Sequence, residues 1–283
     1  QQCPFGAIVD KSFVMNVLNL LRDSWNNTSY HVYAVVAPAV ASQYTGIKVG
    51  QVFAGIKELG FYDVVEAAIA GDMVSVEEAK EFVETIEEKK WKTTSCCPAF
   101  VEYVRKNHPE YMDHVSTVVS PMIAMARAIR AKDRKARIVF IGPCTAKKVE
   151  IKQDDVKGAV DYVLTFEEIG AMLVASGINV ADCEPQEFAK ISCAQGRRFP
   201  VSGGVAGAVA SLVEGKAEFK PTAINGLNKA SIKLLKQYAT KGSDFNMIEV
   251  MCCEGGCVAG PGCVALAKKS AIMVENYVKT APD

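Results

Sequence analysis

Apolar positions along this chain alternate between short continuous runs and longer stretches with helical spacing. Val14, Val17, Leu18 and Leu21 recur at helical spacing within residues 13–21. Residues 31–36 (HVYAVV) form a β-rich apolar run that stops at Ala37-Pro38, because proline donates nothing to a ladder. A helix is predicted over residues 49–59, with Gly60 as its stop, and residues 64–69 read as a second strand. Ser75 with Glu78 three positions later has capping-box spacing, which starts a helix there and carries it to about Lys90. Residues 100–106 and 122–131 are the next helical stretches.

The second half repeats the rhythm. Residues 136–141 (ARIVFI) are continuously apolar, as in a parallel strand buried on both faces, and they deliver Gly142-Pro143-Cys144. A strand over 162–166 leads into a helix with Ile169, Met172 and Leu173 on one face. Gly203-Gly204 opens a small-residue helix to about Leu212, and a last strand over 245–251 again ends at cysteines. Strands alternating with helices imply an α/β fold with mainly parallel sheets, whose ligand sites lie at the carboxyl ends of strands. The predicted architecture is two such lobes flanked by helices, with a cofactor in the cleft between them. Lobe one is placed at about residues 9–135 and lobe two at about 136–283. At the start, Cys3-Pro4 followed by Gly6-Ala7-Ile8 resembles the end of a bacterial ferredoxin run, so residues 1–8 read as the remnant of a ferredoxin-like module.

A length of 283 residues allows two domains or one large two-lobed unit, and 49% hydrophobic with 23% charged residues suits a well-filled core. With 32 basic against 32 acidic residues, nothing in the charge calls for nucleic acid or an anionic membrane as partner. No apolar run approaches the roughly 20 residues that cross a bilayer, and a cytoplasmic setting is the expectation. His31, His108 and His114 show no ligand spacing and read as surface or helix-end groups.

Ten cysteines change the picture. A chain this long and apolar does not need disulfides as staples, and the thiols cluster: Cys96-Cys97, then Cys144, then Cys252, Cys253, Cys257 and Cys263. Soft thiolates gathered in this way suit zinc or iron-sulfur clusters. Zinc ribbons usually offer two C-x2-C knuckles, whereas the spacings here are a CC pair, a lone PC and a C-x3-C, which disfavours structural zinc. A plain 4Fe-4S cluster or something larger stays open. Glycines in Cys253-Glu254-Gly255-Gly256-Cys257 would let the backbone approach a bulky cofactor, and Lys147, three residues after Cys144, would point toward the same site. Cys183, Cys252 and Cys263 read as packing residues, and Cys193 as structural or as a neighbour of the site.

Three segments then stand together: Thr94-Ser95-Cys96-Cys97-Pro98; Pro143-Cys144-Thr145-Ala146-Lys147-Lys148-Val149-Glu150; and Glu249-Val250-Met251-Cys252-Cys253-Glu254-Gly255-Gly256-Cys257. In order and separation they resemble the signature motifs of iron-iron hydrogenases, enzymes that interconvert H2 with protons and electrons. The resemblance implies that Cys97, Cys144, Cys253 and Cys257 hold a 4Fe-4S cluster. The Cys257 sulfur would also bridge to a diiron subcluster bearing CO, cyanide and azadithiolate, a unit that dedicated maturases install. It implies that Lys147 hydrogen-bonds one cyanide beside Pro143, and that Ala37, Pro38 and Ala39 line the other. Phe199 and Met251 would pack around the diiron unit. Cys96 would pass protons to the azadithiolate amine, supplied through Glu78, Ser116 and Glu81, with Glu77 as an alternative to the first glutamate. Implied partners are H2, protons and a redox protein such as ferredoxin or an adjacent iron-sulfur domain, in an anaerobic setting.

The chain departs from the family pattern at several positions. Gly142 stands where catalytic members carry a methionine, Phe100 stands where a tryptophan is usual, and the arginine that ends the proton relay is replaced by something near Thr85. Such neighbours of a metal centre tune its potential. They place the chain nearer the divergent, sensory branch, with modest turnover and hydrogen sensing as its expected role. The competing expectation is a non-catalytic electron-transfer or assembly protein carrying only a 4Fe-4S cluster. Retention of Cys96 and Lys147 weighs against it, since a plain cubane needs neither.

Overall fold

The computed structural model describes residues 9–186 and 192–282; the expected module remnant at residues 1–8 lies outside the described residues. The strands are β1 (His31–Val36), β2 (Asp63–Glu66), β3 (Lys92–Thr93), β4 (Ala136–Gly142), β5 (Tyr162–Thr165), β6 (Pro221–Asn225) and β7 (Met247–Met251). The helices are α1 (Val14–Asp23), α2 (Val49–Glu58), α3 (Ala68–Lys89), α4 (Pro98–Asn107), α5 (Pro121–Lys132), α6 (Lys147–Glu150), α7 (Phe166–Ala175), α8 (Ala194–Arg198), α9 (Gly204–Val213), α10 (Lys229–Lys241) and α11 (Ala267–Val278).

All pairings between these strands are parallel, in one sheet of order β2-β1-β4-β5 and a second of order β3-β7-β6. The α/β class with two helix-flanked parallel sheets is therefore as the pattern predicts. The division of the chain near residue 135 is not. β4 pairs with β1 over its whole length, so segments 31–66 and 136–165 share the first sheet, while β3 pairs with β7 of the second. The physical reason is burial on both faces. HVYAVV and ARIVFI carry apolar side chains on both faces, so both belong at the covered centre of a sheet, where they pair side by side. The two-residue β3 only extends the edge of β7.

α3, with 22 residues and about 33 Å of length at the usual rise, packs against α5, α8 and α9 and ties the two sheets together. It begins seven residues before the predicted start. Ser75 is no cap: its hydroxyl donates to the Gly71 carbonyl one turn back (2.9 Å), as mid-helix serines do. Starting the helix at Ala68 also shortens β2, which stops at Glu66 rather than running to Ile69. The edge strand β6 escapes the apolar pattern because only Ile224 of its five residues is buried. Its proline opens it, as suits an edge position.

The largest core surrounds the first sheet, with Val32, Ile138, Val163 and Phe166 among its buried members. Smaller cores back the second sheet, around Trp91, Phe100, Ile248 and Val250 on one face and Phe82, Val209 and Met247 on the other. The carboxyl ends of β1 and β4 from one sheet, and of β3 and β7 from the other, open toward a shared space.

Candidate active site

Three strand ends bring the motif cysteines to that space. Cys97 follows β3 and caps α4 from an extended conformation (φ −95°, ψ 100°), Cys144 follows β4, and Cys253 and Cys257 follow β7. The Cys257 thiol lies within electrostatic reach of Cys144, Cys97 and Cys253, and Cys144 within reach of Cys97 and Cys253. Burial pushes the Cys144 thiol up to about 11 and those of Cys253 and Cys257 upward as well. Buried thiolates need a cation to neutralise them, which iron supplies by displacing the protons. Among the described residues no three His, Cys, Asp or Glu side chains converge as a single metal ion requires. A donor set of four soft sulfurs suits iron-sulfur chemistry.

Beside the cysteines lies a small cavity, lined by Ala37, Pro38, Phe140, Phe199 and Met251 with Cys96, Cys144, Lys147 and Cys257. Pro143, Ala39, Met122 and Pro200 complete much of the wall. The cavity is almost wholly apolar apart from one ammonium and the thiols, as an uncharged or weakly polar diatomic ligand set would need. Lys147 is buried, pairs with Glu150 (2.7 Å) and reaches the Cys96 carbonyl (3.4 Å). Against burial, the Glu150 carboxylate holds Lys147 above the usual lysine range. Ser120 in turn donates to Glu150 (2.5 Å). With an apolar wall for uncharged ligands and one ammonium for an anionic ligand, the residues present would fit a diiron unit beside a cysteine-held cluster.

The remaining candidates form a polar file leading away from Cys96. Burial pushes the Cys96 thiol well above its ordinary value, with the Glu249 and Cys97 charges adding and Glu78 contributing. Glu78 is buried where Glu77 is exposed. Burial and the Glu81 charge push the Glu78 carboxyl up to about 8, against the lowering influence of nearby Ser116, Lys92 and the Ser95 backbone. The Ser116 hydroxyl donates to Glu81 (2.6 Å), and Thr117 donates to Glu81 through its backbone and its hydroxyl (2.9 and 2.6 Å). Although burial works against it, these bonds hold Glu81 below the usual carboxylate range. Thr117 is exposed, so the file ends at solvent.

Four features escaped the sequence reading. The buried Lys92 of β3 reaches Glu81 (2.9 Å) and Thr85 (3.2 Å), so a lysine supplies the cation where the missing arginine left only Thr85 in view. Only the odd placement of a lysine inside a strand hinted at it. Glu249 is fully buried on β7 and accepts from the backbone of Gly203 and Ala206 (both 2.8 Å), pinning the start of α9. At Gly142 a Cβ would meet the Phe140 ring at 2.6 Å, so the aromatic two residues back on the same face fills the space beside this glycine. Cys252 packs, as read, against the Trp91 and Phe100 group, and it does so beside Cys97, a neighbour far away in the chain that spacing does not encode.

Two other residues are explained by their neighbours. Gly256 (φ +90°) has no room for a Cβ because the Pro200 carbonyl lies 2.5 Å from where it would sit. Cys193 is exposed beside Asp72 and takes no part in lining the cavity, because its backbone is held outward by the Asp72 carboxylate (2.9 Å).

Comparison with known proteins agrees with this geometry. The family model for the C-terminal domain of the iron only hydrogenase large subunit matches residues 30–261. The NADP-reducing hydrogenase subunit HndD of Solidesulfovibrio fructosivorans is 28% identical over 92% of this chain and 54% of its own length. Iron hydrogenase 1 of Clostridium pasteurianum is 25% identical with the same coverage, so the chain spans about half of these relatives. A probable cytosolic Fe-S cluster assembly factor of Drosophila virilis also matches, at 26% identity over 72% of this chain and 54% of its own. Among solved structures, an apo FeFe-hydrogenase HydA1 variant of Chlamydomonas reinhardtii superposes with a TM-score of 0.74 at 20% identity, over 95% of this chain and 88% of that one. No helix among the described residues is long and apolar enough to cross a membrane. With the family model running unbroken through all three cysteine motifs, and the same fold over nearly the whole length, this chain belongs to the family formed by the C-terminal domain of iron-only hydrogenase large subunits.

Proposed function

We propose that this chain interconverts H2 with two protons and two electrons, with Cys97, Cys144, Cys253 and Cys257 holding a 4Fe-4S cluster and Cys257 shared with a diiron unit. The observation that carries the reading is the company the cysteines keep: Cys96 and the buried Lys147 line the same apolar cavity as Cys144 and Cys257. When bound, the iron centre would supply an open metal site at which H2 is split heterolytically. The protein's part is to hold ligands and move protons. Lys147, kept charged by Glu150, offers donors to one cyanide, and the backbone about Ala37 and Pro38 borders the other. Phe199, Met251 and Pro143 keep water from the cavity. Cys96 is the proton donor nearest the centre, and Glu78, Ser116 and Glu81 relay to Thr117 at the surface. A carboxyl such as Glu78, with its pKa raised to about 8, can both take and release a proton near neutral pH.

Electrons would leave through the cubane to a ferredoxin-like protein or an adjacent iron-sulfur domain. The Phe140 ring over Gly142 crowds the site where fast family members carry a flexible methionine, which favours slow turnover and a hydrogen-sensing role. The test is infrared spectroscopy after reconstitution with iron, sulfide and the diiron precursor, comparing wild type with Cys257→Ala. Sharp CO and cyanide bands that vanish in the variant and shift under H2 are the expected result. A cubane that forms without such bands leaves the assembly or electron-transfer role, which the Fe-S assembly relative carries in its name, as the better account.

A further inference from the structure

The cavity wall has a seam where two segments far apart in the chain meet. Ala67, Ala68 and Gly71, from the end of β2 and the start of α3, line it on one side. Gly196, Phe199 and Pro200, from α8 and the turn after it, line it on the other. The two segments touch through backbone: a Cβ at Gly71 would meet the Gly196 Cα at 3.1 Å, and one at Gly196 would overlap the Ala68 carbonyl. Beside the seam, two carboxylates of the first segment hold the second. Asp72 accepts from the backbone of Cys193 and Gly196 (both 2.9 Å). Glu66, buried at the end of β2, faces the buried Arg197 guanidinium at 3.5 Å, and the oxygen that faces it accepts no hydrogen bond among the described residues. That pair is too long to hold the seam by itself.

α11 supplies what the pair lacks. The Arg197 guanidinium stacks over the Tyr277 ring, 4.0 Å from its centre, and donates to the Tyr277 carbonyl (3.2 Å) and the Thr280 hydroxyl (2.8 Å). The Tyr277 hydroxyl donates to the other oxygen of Glu66, so one side chain grips both members of the pair. α11 is itself well seated. Val274 and Val278 are buried in the main core, and Arg198 donates twice to Glu275 (2.9 and 2.7 Å). The helix also packs on the turn Pro38–Ser42, whose first residues line the same cavity. We infer that Arg197 is a positioning residue that keeps the seam closed, with Tyr277 of α11 as its fastening, so that the hold of α11 governs the entry of small molecules to Cys96 and Cys257. Loosening the joint lets α8 part from the end of β2 by local opening while both sheets stay folded. The inference goes beyond the proposed function, since it concerns entry to the cavity whether or not iron is bound.

The experiment follows alkylation of each cysteine of the full, metal-free chain by iodoacetamide, read over time by peptide mass spectrometry. Removing one member of the pair would leave a buried charge alone, so the first variant is Glu66→Gln/Arg197→Met, in which the pair goes as a whole. The second is Tyr277→Phe, which keeps the ring under Arg197 and loses only the hydroxyl. In the double variant Cys96 and Cys257 should react roughly tenfold faster than in wild type, as expected when a local opening becomes easier. Tyr277→Phe should show a smaller rise at the same two thiols. Cys183, buried outside the cavity, should keep its wild-type rate in both. Unchanged rates at Cys96 and Cys257 in both variants overturn the inference. An equal acceleration at Cys183 overturns it too, because the joint would then support the whole fold and not the seam. Where the double variant fails to fold, Tyr277→Phe decides: a rise confined to Cys96 and Cys257 upholds the inference, and no rise there overturns it.

Discussion

Replacing Glu78 by glutamine should flatten the dependence of stability on pH. In the folded chain the carboxyl is pushed from 4.5 to about 8, by burial first and by the charge of Glu81 second. The folded state therefore holds a proton that the unfolded state has released anywhere between those values. Stability falls as pH rises through that window, because the unfolded state binds fewer protons there. At 1.36 kcal/mol per pH unit, a shift of about 3.5 units amounts to roughly 5 kcal/mol between pH 4 and pH 9, with any relaxation of the site reducing it. Glutamine keeps the shape and stays neutral, so Glu78→Gln should lose most of this slope and be the more stable protein above pH 8. Urea denaturation of the metal-free chain at half-unit intervals from pH 5 to 9 reads the effect directly, with no cofactor needed. Parallel curves for the two proteins would refute the reasoning, because they would mean that Glu78 titrates alike folded and unfolded. The same substitution should abolish proton delivery in the reconstituted enzyme while leaving its infrared bands in place.

Lys92→Met should cost about 2 kcal/mol, below the value for a fully buried broken pair, because the Glu81 side chain is 15% exposed and keeps its bonds from Ser116 and Thr117. Lys92→Arg should stay near wild type, and equal denaturation midpoints for the two variants would discount the ion pair. Glu150→Gln strands the buried Lys147 ammonium, so about 3 kcal/mol should be lost and largely recovered in Glu150→Gln/Lys147→Met. A double variant no more stable than Glu150→Gln alone would count against that pairing. Gly142→Met alone should destabilise by about 1–3 kcal/mol through its clash with the Phe140 ring. Combined with Phe140→Ala it should cost less than the sum of the single changes, and strict additivity in a double-mutant cycle would show that the two side chains do not compete for one space.

The sequence by itself determined the local elements and the chemistry of the site. HVYAVV and ARIVFI are strands because continuous β-branched runs have no solvent face to offer, and both appear within a residue of their predicted bounds. Cysteines placed just after strands announced a site at the strand ends, since parallel sheets leave their ligand crevices there. Glu78, Glu81 and Ser116 were legible only through the resemblance to a known family, which located them by their distance from the motifs. Their contact depends on α3 running past residues 115–118, which spacing does not encode. What the tertiary structure alone decided is which strand pairs with which. Pairing is settled by competition among apolar faces far apart in the chain, and it carried β4 back to β1 and β3 across to β7. The same long-range packing put Lys92 against Glu81, Phe140 beside Gly142, and Cys252 and Cys97 against one apolar group. None of these pairs follows from local periodicity, because each joins positions whose proximity exists only once both sheets have formed.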